Sequence, residues 1–248
     1  MKQLVLIGEG EGEASALPVL VRKLLREKNA RQILPLRNEV LRTPFPVRKE
    51  MDFSKWIERI KLAAKLSNGG AILAVYDGDM EKFPPGSSSP FCAATAAKAM
   101  AKAAANAGAG SICSLAVVFA CVEYETWLIA GVESLLRKPI PGGHISLRPG
   151  VRFPGGDPES HGKGWLEKNC LGYRPARDQK ELTKLLDLND VRAKKTPFLL
   201  PSRTRDRTTD TGDSRGHVHL NSGLMTPACL LFLKEVFAVL RGIKRSLH

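Results

Sequence analysis

The 248-residue chain has no run of 18 uncharged apolar residues, so no segment is expected to cross a bilayer as a helix. Its opening apolar run, residues 4–7, stops at acidic residues and has no small-residue cleavage site after it. No secretory signal is expected, and the cytoplasm is the expected location. Cysteine is scarce and odd in number: Cys92, Cys113, Cys121, Cys170 and Cys229, with no CxxC pair. That argues against a disulfide framework and a zinc site, and leaves buried, reduced thiols as the expectation. There is no GxxxxGK[ST] phosphate loop and no GxSxG elbow, so ATP binding through a P-loop and α/β-hydrolase chemistry are both set aside. No helix-turn-helix or zinc-finger pattern is present to read bases. Acidic residues are also in deficit, 25 against 38 Lys and Arg, a net charge of +13. Such an excess favours a polyanionic partner. No stretch joins a basic face to a strongly apolar one, so nucleic acid is preferred over a membrane surface.

What is present is a rhythm of short apolar strands and amphipathic helices. Residues 4–7 form a continuous apolar run, as in a strand buried on both faces. A helix follows from near Glu13, with Leu17, Leu20, Val21, Leu24 and Leu25 at helical spacing. Pro18 fits only in its first turn. Residues 32–36 could form a second strand, weakened by Pro35. Phe53, Trp56, Ile57, Ile60 and Ala63 predict a helix started by Asp52 or Ser54 and stopped at Asn68-Gly69-Gly70. Residues 71–76 read as a strand, 93–107 as an alanine-rich helix, 115–122 as a strand and 123–136 as a helix. The alternation predicts an α/β fold with a mostly parallel, Rossmann-like sheet flanked by helices. Residues 1–137 are expected to be its core. Residues 138–248 read as a loop-rich, helical extension packed on it, with short helices at 164–169, 178–188 and 228–240 and a polar loop at 203–215.

The acids are concentrated where strands end. Glu9, Glu11 and Glu13 follow the first strand, Asp77 and Asp79 the third, and Glu123 and Glu125 the fourth. In a parallel sheet these exits share one edge, where ligands of open α/β sheets bind. Carboxylates gathered there repel one another, and a divalent cation relieves the repulsion. Hard oxygen donors suit Mg²⁺ or Mn²⁺. Plainer readings stand beside this one. Glu11 and Glu13 suit a helix first turn. Asp77-Gly78-Asp79 could be a hairpin turn, or two carboxylates on one side of an extended segment. Glu123 and Glu125 could simply begin a helix. The run Gly8-Glu9-Gly10-Glu11-Gly12 has the look of a dinucleotide loop, but its glutamates would repel a pyrophosphate.

These segments resemble known motifs. Residues 4–13 look like the VEGxxE opening of Toprim-like domains, as in overcoming-lysogenization-defect nucleases, with Gly8 in place of Val. Residues 71–79 resemble the second Toprim motif, a strand ending in DxD. Val122-Glu123-Tyr124-Glu125-Thr126-Trp127-Leu128 is similar to a third signature of an uncharacterised Toprim-like bacterial family, and residues 173–188, with Asp178-Gln179, fit it too. The resemblance covers residues 1–190. It implies metal-dependent phosphodiester hydrolysis of nucleic acid with Mg²⁺ or Mn²⁺, with Glu9 and Asp77 catalytic. Glu9, Glu13, Asp77, Asp79, Glu123 and Glu125 are the metal-ligand candidates. Such proteins are often encoded beside an AAA-type ATPase in phage-defence operons. That ATPase and a second copy of the chain (a homodimer) are therefore further candidate partners. The rivals are a non-catalytic subunit of an ATPase complex and a Toprim-type phosphatase or phosphotransfer enzyme acting on small phosphoesters.

A polyanion brought to an acidic edge needs cations around it. The candidates are Arg42, Arg48 and Lys49 in a loop, and Lys163, Lys168, Arg174, Arg177 and Lys180 after the core; a solvated surface is the plainer reading for each. Arg203, Arg205, Arg207 and Arg215 add a polar loop. His217 and His219 lack a third zinc ligand. His144 and His161 read as exposed loop histidines, and Trp127 and Trp165 as packing residues.

Overall fold

The computed structural model describes residues 1–27, 36–45, 52–120, 122–140, 143–154 and 162–193. Four parallel strands, β1 (Leu4–Gly8), β2 (Leu36–Arg42), β3 (Ala71–Asp77) and β4 (Ser114–Ala120), form one sheet in the order β2-β1-β3-β4. Every residue of β1 and β3 is buried, which is why both read as unbroken apolar runs rather than as alternations. Leu4, Leu6, Leu73 and Val75 belong to the core on one face, and Val5, Ile7, Ile72, Ala74 and Tyr76 to the core on the other. By the same parity Asp77 belongs with Leu73 and Val75.

The first face is covered by α1 (Glu11–Glu27) and α7 (Pro175–Leu185), which pack on each other. Leu128, Leu166, Leu182, Leu186 and Val191 join Leu17, Leu20 and Leu24 in that core. They come from α4 (Glu125–Ala130), α6 (Gly162–Asn169), α7 and α8 (Leu188–Ala193), together with the Leu186 that follows α7. The second face is covered by α2 (Ser54–Ser67) and α3 (Ala93–Ala105), which bring Trp56, Ile60, Ala96 and Met100 to Tyr76 and Phe119. The remaining elements are α5 (Val132–Leu136) and a two-residue antiparallel ribbon of β5 (Ser146–Leu147) and β6 (Cys170–Leu171). Among the described residues no helix is long and apolar enough to cross a membrane.

Several local readings shift. The second strand runs over Leu36–Arg42, later than residues 32–36, of which 32–35 lie outside the described residues. Its stretch LRNEVLR is mostly exposed or half-buried; an edge strand carries charge that a search for apolar runs passes over. Arg42 therefore ends a strand rather than lying in a loop. Helix α1 starts at Glu11, so Pro18 is interior. A proline there forfeits a backbone hydrogen bond, and the buried stripe Leu17, Leu20, Val21 and Leu24 holds the helix across it. Helix α2 begins at Ser54, whose N–H and hydroxyl donate to Asp52 at 2.8 and 2.9 Å, and stops at left-handed Asn68.

The single helix expected over 123–136 is divided into α4 and α5 at Gly131. A Cβ at Gly131 would stand 2.3 Å from Leu186 Cδ1, so the break admits the segment after α7. Helices α6 and α7 each begin a little before the predicted boundary. The helix predicted at 228–240 and the loop at 203–215 lie outside the described residues.

Candidate functional site

The carboxyl ends of β1, β3 and β4 deliver acids to one place. Asp77 is the last residue of β3, paired with Ala120 of β4. Gly78 N–H donates to Ala120 O at 3.1 Å, and a Cβ on Gly78 would lie 2.7 Å from that oxygen. Only glycine lets the two strands stay joined while the chain turns. Beyond β4, Val122 has φ of 61°, a left-handed conformation that costs a β-branched residue strain. The turn aims Tyr124 N–H at Asp77 Oδ1, 2.9 Å away.

Glu123 Oε2 accepts the backbone N–H of Lys163 at 2.8 Å, in the first turn of α6. The Lys163 ammonium then lies 3.5 Å from Glu123 Oε1 and 3.6 Å from Asp77 Oδ2. Glu125, fully buried at the start of α4, accepts from Tyr173 OH at 3.0 Å and Gln179 Nε2 at 2.9 Å, both on Oε1. Its Oε2 is buried with no hydrogen-bond partner among the described residues, and so is Glu13 Oε2 in the first turn of α1.

The electrostatics bind these groups into one cluster. Burial, then the Glu13 carboxylate, push the Asp77 carboxyl up to about 8; Lys163 opposes the shift and Glu125 adds to it. Burial raises Glu125 as well, against the help of Gln179, Lys163 and Tyr173. Burial alone would lower the Lys163 ammonium, but Asp77, Glu125, Glu123 and Glu13 outweigh it and hold it above the ordinary lysine value. Four acids from three chain segments thus surround one half-exposed ammonium. Among the described residues no three His, Cys, Asp or Glu side chains stand as a ready-made metal-ligand set.

The chain matches one family, described as a domain of unknown function (DUF4276), over residues 8–198. It belongs to the DUF4276 family. No curated protein and no solved structure matches it. The family match runs from the end of β1 past α8, so every acid of the cluster and Lys163 fall within the DUF4276 region.

The other candidates of this DUF4276 chain are placed variously. Glu9, at the same sheet edge, accepts from Phe45 N–H at 3.4 Å, and its charge bears on Tyr76, whose ring lies in the α2/α3 core. Asp79 is exposed, whereas Asp77 is buried. Strand β3 ends at Asp77, and Asp79 lies two residues beyond it. Glu11 is exposed in the first turn of α1, where an acid suits the helix dipole.

Among the basic candidates, Lys163 is inside the acid cluster, while Arg42, Lys168, Arg174, Arg177 and Lys180 are exposed. Arg48 and Lys49 lie outside the described residues, as do His161, His217, His219, Cys121 and Cys229. Arg177 is engaged: its guanidinium donates to both oxygens of the buried Asp178 at 2.6 and 2.7 Å, and to Gly172 O. His144 is not a bare loop histidine, since its Nε2 meets Asp178 Oδ1 at 2.9 Å. Asp178 also accepts Arg174 N–H at 2.7 Å, so it ties the entry of α7 to the ribbon loop.

Cys113 and Cys170 are buried, but Cys92 is exposed, because it precedes α3 in a surface loop. Trp127 is buried, and Trp165 packs partly buried against the same core. Residues 173–188, with Asp178-Gln179, fall within the Toprim-like resemblance, but it assigns Tyr173, Gln179 and Thr183 no site role. A further signal is the buried-type spacing of Gln179, Leu182 and Thr183 on a charged helix.

Proposed function

We propose that this chain is a Toprim-type, metal-dependent phosphodiesterase acting on nucleic acid, with its centre at Glu13, Asp77, Glu123, Glu125 and Lys163. One observation carries the reading. Four buried carboxylates are crowded around a single ammonium at the ligand-binding edge of a parallel sheet. A folded chain tolerates such crowding when positive charge joins it.

The donors suit Mg²⁺ or Mn²⁺: all are hard oxygens, and Glu13 Oε2 and Glu125 Oε2 are buried with no hydrogen-bond partner among the described residues. Asp77, Glu13, Glu123 and Glu125 would hold the ion. When bound, it supplies an activated water and charge neutralisation at a phosphodiester. The chain's own residues do the rest. The Tyr124 N–H fixes Asp77 from the backbone. Lys163, half-exposed in the cluster, binds a phosphate oxygen once its carboxylates turn to the ion. Exposed Lys168, Arg174 and Lys180, on or beside α6 and α7, extend the positive surface along a polyanion without reading bases.

The Toprim resemblance makes Glu9 the general acid/base or a metal ligand and adds Asp79 as a ligand. It also supplies the setting, a cytoplasmic phage-defence role with an AAA-type ATPase. The Lys163 bridge favours a second reading, in which the lysine is a permanent counter-ion and the chain a non-catalytic subunit.

Supercoiled plasmid, RNA and small phosphate esters are incubated with the protein and Mn²⁺ or Mg²⁺, beside Asp77→Ala. Metal-dependent nicking or RNA cleavage that the variant lacks supports the reading. Cleavage of small esters alone shifts it to a phosphatase. Turnover that survives in Asp77→Ala, or none in any metal with the folded protein, removes it.

A further inference from the structure

Helix α7 packs on α1, which carries Glu13, and on α4, which carries Glu125. Gln179 and Tyr173 both donate to Glu125 Oε1, at 2.9 and 3.0 Å. A carboxylate only accepts, so the amide must turn its NH₂ to Glu125 and its Oε1 away. That oxygen is wedged against the start of α1: a Cβ on Gly12 would stand 2.1 Å from it, one residue before Glu13. One turn along, Thr183 Oγ1 donates to Gln179 O at 2.6 Å, and lies 2.8 Å from Tyr124 OH. The single Thr183 proton is thereby used, so Tyr124 donates in the second bond. Tyr124 is the residue whose N–H holds Asp77. Gln179 and Thr183 are both fully buried. Gln179 and Tyr173 saturate one oxygen of Glu125, while the other, Oε2, is buried and has no hydrogen-bond partner among the described residues.

We infer that Gln179, seconded by Tyr173, is the positioning residue of the metal site. It rotates Glu125 so that Oε2 alone is offered to the cation. The inference rests on the metal reading above and deepens it. A metal-bound ligand held by an outer hydrogen bond loses affinity when that bond is removed, by roughly 10- to 100-fold.

The test measures Mn²⁺ binding to the full chain by titration calorimetry, with melting temperature in EDTA as the second readout; no turnover is needed. Gln179→Leu is compared with wild type and with Leu182→Ala, a core truncation on the same helix. The expected result is Mn²⁺ binding weakened about 10-fold or more in Gln179→Leu, and unchanged in Leu182→Ala although that variant melts earlier. Tyr173→Phe keeps the ring and removes one of the two donors. It is expected to weaken Mn²⁺ binding too, and it carries the test if Gln179→Leu does not fold. Wild-type affinity in folded Gln179→Leu, or in Tyr173→Phe where only that variant folds, overturns the inference and leaves the metal site standing. Equal weakening in Leu182→Ala overturns it also, since loosened packing would then explain the loss. Failure of wild type itself to bind Mn²⁺ removes the metal reading and the inference with it.

Discussion

Replacing Asp77 by Asn should make the metal-free protein more stable, by an amount that grows with pH. The carboxyl is pushed up to about 8 from an ordinary 3.8, by burial and then by Glu13. Between those values the unfolded chain is ionised and the folded one protonated. The folded state therefore binds the extra proton, and stability falls by about 1.4 kcal/mol per pH unit. By pH 7 the accumulated penalty is on the order of 4 kcal/mol. Asn does not ionise, and its Oδ1 can still accept the Tyr124 N–H held at 2.9 Å. It surrenders the contact with Lys163, a 3.6 Å pair on a half-exposed side chain, about 1 kcal/mol at most. The net expectation at pH 7 is a gain of about 2–3 kcal/mol, or roughly 5–10 °C in melting temperature. Denaturation of both proteins in EDTA from pH 4.5 to 8.5 measures it. The two should be close at the acid end and diverge toward pH 8, then run parallel. With Mn²⁺ present the order should reverse, because only wild type gains from binding. A difference that is flat with pH, or an Asn variant that is the less stable at pH 8, would refute the strained-cluster argument.

Other outcomes follow from the same contacts. Lys163→Met leaves Asp77 and Glu123 facing each other and should lower the melting temperature in EDTA by about 3–6 °C, for a loss of about 1–2 kcal/mol. Mn²⁺ should then restore more stability to the variant than it adds to wild type, whereas a permanent counter-ion predicts the same deficit with and without metal. Asp178→Asn should destabilise the chain by about 1–3 kcal/mol at neutral pH, since it weakens the pairing with Arg177 and His144. Burial works against the Asp178 carboxylate, but Arg177, His144 and the Arg174 N–H hold it below the ordinary value. Its contribution is thus present above pH 4 and lost as pH falls through the lowered value, opposite in sign to Asp77. Urea titrations at pH 7 and pH 3 check this, and an undiminished deficit at pH 3 would contradict it.

The α/β architecture was legible because burial on both faces leaves a plain mark. Strands β1, β3 and β4 are short apolar runs, each followed by glycines or acids. The edge strand β2 left no such mark, because only one of its seven residues is buried. The sequence also placed acids at the ends of three strands, and parallel pairing alone puts those ends on one edge. It could not say which of them meet. Asp77 and Asp79 are two residues apart, yet the one that ends β3 is buried and the one beyond it is exposed. Glu9 and Glu13 follow the same strand, yet Glu9 acts on Tyr76 and Glu13 on Asp77.

Lys163 read as one of many surface cations, and Gln179 as part of a helix. Local pattern by itself determined the elements, the sheet and the edge at which chemistry would be sought. Only the tertiary structure decided the membership of the site. Contacts between Asp77 and Lys163, or Glu125 and Gln179, span dozens of residues. They are set by the docking of α6 and α7 on the sheet edge, and spacing along the chain carries no trace of that docking.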